Sequence, residues 1–172
     1  MAPEAERAVA DVLASGFIGQ GPKVEEFEQA LQETLDCPYP PLTTNSCTSA
    51  LDLALHLIGV GPGDEVISTP MTCTATNGVI VNRGAQIVWA DVNPFSGLIS
   101  PEDVGRLVSR RTKAIMAVDW GGKPCDYETL CCRSGSQPRH RRKRSRCAFL
   151  GPYHGLPGER QEISSVSGCV WR

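Results

Sequence analysis

Three short apolar runs, each followed by turn residues and a stretch with helical spacing, constrain this chain more than any other feature. They are Val66-Ile67-Ser68-Thr69, Gln86-Ile87-Val88-Trp89-Ala90 and Lys113-Ala114-Ile115-Met116-Ala117-Val118. Each is short, near-continuously apolar and bounded by turn residues, which reads as a strand, and the first reads as a buried one. Helical patterns separate them, one running to about Asn82 and one from Pro101 to about Val108. The second has Ser100 as a cap, Pro101 at its first position and the acids Glu102 and Asp103 in its first turn. Strands alternating with helices at this spacing predict an α/β fold, a three-layer sandwich around a mostly parallel sheet.

Upstream, residues 5–13 predict a helix with Ala8, Val9, Val12 and Leu13 on one side, ended by Ser15-Gly16. Residues 23–35 predict a second, whose buried stripe is Val24, Phe27, Leu31 and Leu35. The loop between them, Gly16-Phe17-Ile18-Gly19-Gln20-Gly21-Pro22, lacks the P-loop lysine and the G-x-G-x-x-G spacing. Residues 41–44 predict a short strand. Asn45 to Thr48 are helix-capping types, and Leu51, Leu55 and Ile58 recur at helical spacing. Such a turn into a helix presents backbone N–H groups at the positive end of the helix dipole, which binds phosphate. An ordinary capped βα turn needs the same residues, so both readings stay open. Sites in open α/β folds lie at the carboxyl ends of strands. The 47–49 turn, the 69–73 turn, Asp91 and the 119–122 loop are therefore expected on one edge.

A length of 172 residues suits one domain. No apolar run approaches a membrane span, and the acidic start Met1-Ala2-Pro3-Glu4-Ala5-Glu6 is unlike a signal peptide, so a cytoplasmic protein is expected. Residues 1–130 hold 8 basic and 17 acidic side chains, whereas residues 131–172 hold 9 basic and 2 acidic. The split asks whether both parts belong to one fold. The eight cysteines include no C-x-x-C pair, which argues against a metal site and against a disulfide framework.

Five segments in register carry a resemblance over about residues 10–130. Gly19-Gln20-Gly21-Pro22-Lys23-Val24-Glu25-Glu26-Phe27-Glu28, Asn45-Ser46-Cys47-Thr48-Ser49-Ala50-Leu51, Gly61-Pro62-Gly63-Asp64-Glu65-Val66-Ile67, Thr112-Lys113-Ala114-Ile115 and Pro124-Cys125-Asp126 are similar, in order and spacing, to landmarks of the DegT/DnrJ/EryC1/StrS sugar aminotransferases. That family uses pyridoxal 5′-phosphate (PLP) on the fold-type I scaffold. The resemblance implies that Thr48 and Ser49 hold the PLP phosphate. It implies that Cys73 stands where an aromatic normally stacks on the pyridine ring; a small core cysteine is the competing reading. Gly19 is implied to approach the sugar nucleotide. Trp120 is implied to face the substrate and stack on a base or sugar, against a reading as half-buried packing.

The resemblance also implies an amino-acid donor, with glutamate expected, a nucleotide-linked keto sugar as acceptor, and a homodimer. PLP chemistry needs a lysine that condenses with the cofactor's aldehyde and a carboxylate against the pyridine nitrogen. The family's E-D-x-A-[HQ] and S-F-x-x-x-K motifs for these are absent. The four lysines, Lys23, Lys113, Lys123 and Lys143, stand in other contexts. Residues 1–130 are thus expected to be an incomplete PLP-dependent large domain, inactive alone. Residues 131–172 are expected to be a basic tail foreign to the family. The abrupt end of the resemblance favours a reading-frame shift there, over a solvated disordered tail or a nucleic-acid arm. The alternative for the whole chain is a catalytically dead binding module whose basic tail takes nucleic acid.

Overall fold

The computed structural model describes residues 4–134. They form two compact units, one ending at Thr44 and one beginning at Asn45. The expectations for residues 135–172, including the basic run and Lys143, lie outside the described residues.

The first unit holds α1 (Ala5–Ser15) and α2 (Pro22–Thr34). Gly16 closes α1 with φ of +78°, as Ser15-Gly16 predicts. Pro22 opens α2 where its missing N–H costs nothing. The expected burial does not hold: neither helix has a buried residue, and Val9, Leu13 and Phe27 are 58%, 63% and 55% exposed. Two short helices with no sheet beside them in their own unit have too little surface to cover both apolar stripes. Val12, Phe17, Val24 and Phe27 instead line an open groove of about 740 Å³. The expected strand at 41–44 is also absent. Pro40 and Pro41 supply no N–H for a ladder. The Glu28 carboxylate fixes the segment, accepting both the Thr43 N–H and its hydroxyl at 2.7 Å. These bonds, the backbone one foremost, hold Glu28 below the usual carboxylate range.

The second unit is the predicted sandwich. Its elements are α3 (Cys47–Leu57), β1 (Glu65–Ser68), α4 (Thr74–Asn82), β2 (Gln86–Trp89), α5 (Pro101–Leu107), β3 (Thr112–Ile115) and α6 (Tyr127–Arg133). The three strands pair in parallel in the order β2-β1-β3, with Val66 opposite Ile87 and Ala114. Central β1 is buried along its whole length. Its side chains alternate between faces: Val66 packs with Leu51, Leu55, Val79 and Ile80, and Ile67 with Val104, Cys125 and Leu130. Thus α3 and α4 cover one face, and α5 and α6 the other. The β1–α4–β2 and β2–α5–β3 crossovers travel in opposite directions along the sheet. Right-handedness then requires opposite faces, as found.

β3 stops short of the expected end at Val118 because its partner β1 is only four residues long. One further bond, Met116 N–H to Ile67 O at 2.8 Å, extends the pairing. The helices that follow neighbouring β1 and β3 lie on opposite faces. The carboxyl ends of these two strands therefore flank a topological switch point, where open α/β sheets bind ligands.

Candidate functional site

Ser46 enters α3 in extended conformation, φ −161° and ψ 156°, and its hydroxyl accepts the Ser49 N–H at 3.1 Å. The side chain thus caps the helix. The Ser46 and Ser49 hydroxyls are 3.0 Å apart. Either hydroxyl can donate in that pair, and the Ser46 hydroxyl also donates to Asn45 Oδ1 at 3.4 Å. An N-capped helix keeps further amides at its open end, here those of Cys47 and Thr48. Cys47, Thr48 and Ser49 are all exposed. Amides, hydroxyls and the positive end of the dipole suit an oxyanion with several acceptor oxygens, which a phosphate is.

An ion-pair clamp sets the direction of α3. Arg83, at the end of α4, donates to both carboxylate oxygens of Asp52 at 2.8 and 2.7 Å, and to the Asp52 carbonyl at 3.0 Å. Its remaining nitrogen lies 2.9 Å from His56 Nδ1. The second half of α3 therefore adjoins the end of α4, and the two helices run parallel. Since α4 starts beyond the carboxyl end of β1, α3 starts on that edge too. The turn between β1 and α4 is held from inside. Buried Ser68 donates to Asn77 Oδ1 at 2.6 Å, and Asn77 Nδ2 donates to the carbonyl of buried Thr69 at 3.1 Å. The Thr72 and Thr76 hydroxyls bond at 3.0 Å. Cys73 emerges exposed at the N-cap of α4, so the competing reading of a core cysteine is set aside.

After β3, Asp119 organises the next turn. Its Oδ1 accepts the Cys125 N–H at 2.8 Å and the Tyr127 hydroxyl. The Cys125 thiol donates to Val118 O at 3.3 Å. Burial, reinforced by the Asp119 charge, pushes Cys125 up to about 12. Burial and the bond to Asp119 push Tyr127 upward as well. Trp120 rides on the 3₁₀ turn Trp120–Gly122 and is 41% exposed. Asp91, two residues beyond the end of β2, accepts the Val92 N–H at 2.8 Å. Its own N–H goes to Asp103 at 2.7 Å, the main reason Asp103 sits below the usual carboxylate range.

Thr48, Ser49, Cys73 and Trp120 thus all lie on the carboxyl side of the sheet. Gly19 is in the first unit, where it lines the groove. Among the described lysines, Lys23 pairs with Glu26 at 2.6 Å in the first unit. Lys113, at the start of β3, lies 4.0 Å from Asp64 at the opposite, amino edge. Lys123 follows the Trp120 turn and is exposed. Asn77 escapes sequence reading. Asn77 sits inside a helical pattern, and nothing in its spacing marks a clamp. No group of three or more metal-ligating side chains occurs among the described residues. No helix among them is long and apolar enough to cross a membrane.

The model of the DegT/DnrJ/EryC1/StrS aminotransferase family matches residues 1–132. The spore coat polysaccharide biosynthesis protein SpsC of Bacillus subtilis is 39% identical over 122 residues, covering 71% of this chain and 31% of SpsC. Spr1654 from Streptococcus pneumoniae in its PMP form superposes with a TM-score of 0.74 at 35% identity, over 77% of this chain and 33% of its own. It has also been solved in a PLP form. AtS13 from Actinomadura melliaura gives a TM-score of 0.73 at 41% identity, over 81% of this chain and 37% of its own. The α/β fold is thus that of part of the fold-type I large domain, and PLP is the cofactor of the group. The chain spans about a third of the length of the curated relatives it matches, 31% of each.

Proposed function

Because the chain belongs to the DegT/DnrJ/EryC1/StrS aminotransferase family, we propose that it serves PLP-dependent transfer of an amino group from an amino acid, glutamate foremost, to the keto group of a nucleotide-linked sugar. Polysaccharide or amino-sugar biosynthesis in the cytoplasm is the setting we assign. The observation that carries the reading is the start of α3. Its capped, exposed N-terminus stands on the edge where the strands end. Thr48 would hold the cofactor phosphate with its amide and hydroxyl and Ser49 with its hydroxyl, and Cys73 would lie against the ring face, where sulfur packs well. Trp120 and Gly19 would contact the sugar nucleotide. PLP, when bound, supplies the electron sink for the amino-acid carbanion.

The 172 residues themselves are proposed to be an incomplete, inactive large domain. None of their four lysines stands in the S-F-x-x-x-K setting of the family. The family match ends at residue 132, in keeping with residues 131–172 being foreign to it. Sequencing the gene through the codon for Leu130 tests the frameshift; an unbroken frame in independent isolates would reject it. Homodimerisation is proposed by analogy and is read by sedimentation equilibrium.

Equilibrium dialysis tests the binding reading. PLP should be retained by the chain, and pyridoxal, which lacks the phosphate, should not. Equal retention of both would refute phosphate seating. Borohydride reduction with PLP present should add no mass to any lysine. A reduced adduct, on Lys123 above all, would refute inactivity.

A further inference from the structure

The polar groups between β1 and α4 all serve to fix one short segment. β1 ends at Ser68, and α4 begins at Thr74 with Cys73 as its N-cap. Asn77 stands about one helical turn beyond Cys73. Its carboxamide reaches back to the strand end with both polar atoms. Oδ1 accepts the Ser68 hydroxyl at 2.6 Å, and Nδ2 donates to the Thr69 carbonyl at 3.1 Å. Ser68 and Thr69 are buried, so neither group can turn to bulk water instead. The two bonds need an acceptor and a donor on one side chain. Asparagine supplies both; aspartate lacks the donor.

Further bonds shape what lies between. The Thr69 hydroxyl accepts the Met71 N–H at 3.1 Å, the Thr72 N–H reaches Pro70 O at 2.9 Å, and the Thr76 N–H reaches Cys73 O at 2.9 Å. The Thr72 hydroxyl donates to Thr76 Oγ1 at 3.0 Å. Each of these closes within a few residues and curls the segment without tying it to the sheet. Among the described residues, the Asn77 carboxamide is the hydrogen-bonded link from the first turns of α4 to the end of β1.

We infer that Asn77 is a positioning residue for the cofactor ring: by pinning α4 to the strand end, it fixes where Cys73 is presented on the carboxyl edge. The inference rests on the proposed function, which puts the ring against Cys73. Asn77 acts through Cys73, because its own carboxamide is occupied on the strand side. The phosphate is seated from a different element, the start of α3, and the Arg83 clamp that directs α3 lies at the other end of α4. Losing the carboxamide should therefore release the ring and leave the phosphate seat intact.

The test uses the full chain and Asn77→Asp, which keeps the size and an acceptor but sets a carboxylate oxygen against the Thr69 carbonyl. PLP held in one orientation by an asymmetric site shows induced circular dichroism in its visible band. The native chain should show that signal and Asn77→Asp should lose it. Calorimetry should show Asn77→Asp binding PLP about ten-fold or more weakly, while inorganic phosphate binds both proteins alike. Ser68→Ala removes one of the two bonds and keeps the other, so it should fall between them; it carries the same test if Asn77→Asp does not fold. Undiminished dichroism and PLP affinity in the variants, phosphate weakened as much as PLP, or a native chain that holds PLP without an induced signal would overturn the inference. The two failures separate: PLP bound and oriented alike by native and variant chains defeats the role of Asn77 alone, and a native chain that binds neither PLP nor phosphate defeats the proposed function with it.

Discussion

Cys125 and Cys73 show how one residue type takes opposite roles within a single unit. Cys125 is 5% exposed and held high by burial, whereas Cys73 caps a helix in the open. Iodoacetamide at pH 8 should alkylate Cys47, Cys73 and Cys132 and spare Cys125, as peptide mass mapping would read. Labelling of Cys125 at the rate of Cys73 would contradict its burial. The same thiol fixes an alkaline limit. Unfolded, it ionises near its ordinary 9.0; folded, it keeps its proton to about 12. The folded state therefore binds more protons across that window. Its contribution is intact below pH 9 and is lost as pH rises toward 12. The thermal midpoint should fall across this range, and Cys125→Ala should flatten part of the fall. None of this was legible from spacing, since burial depends on which helix closes over the residue. The start of α3 at Ser46 was legible because capping is local chemistry, written in the residues at the turn.

At the scale of elements, the sheet was readable and its fastenings were not. The strands of the second unit and its helix after Ser100 follow from apolar runs and from Ser100 with Pro101; the Asp126 cap, which accepts the Thr129 N–H at 3.0 Å, starts α6. Arg83 with Asp52, and Glu65 with Ser109 and Arg111, join residues 31, 44 and 46 positions apart, which local patterns do not report. Asp52→Asn removes the bidentate pair that keeps α3 parallel to α4. A loss of about 1–2 kcal/mol is expected, moderated by the exposure of the carboxylate. It is measured by urea denaturation, and PLP retention should fall with it because the start of α3 is released. The Glu65 side chain is 7% exposed, 2.5 Å from both Ser109 Oγ and Arg111. Glu65→Ala should cost about 1–2 kcal/mol, since it strips the ion pair and the hydrogen bond from Ser109, both of whose partners, Ser109 and Arg111, are themselves exposed. A change below about 0.5 kcal/mol in the same experiment would show that the amino edge does not depend on this pair.

For the whole molecule, amphipathic spacing gave α1 and α2 correctly but not the surface that would cover them. Phe27 was expected in a core and is 55% exposed. Period tells which residues share a face; it does not tell whether anything lies opposite. The two units of the described chain differ accordingly: the second buries its central strand on both sides, and the first buries no helix residue. The family landmarks span both units, but the features assigned to the cofactor, at Thr48, Ser49 and Cys73, all belong to the second. The measurement that tests that assignment most directly is the phosphorus NMR signal of PLP mixed with the full chain. With the native chain the resonance should shift and broaden on binding, and with Thr48→Ala plus Ser49→Ala it should return close to the free position. An unshifted signal with the native chain, or an equal shift with the double variant, would contradict phosphate seating at the start of α3.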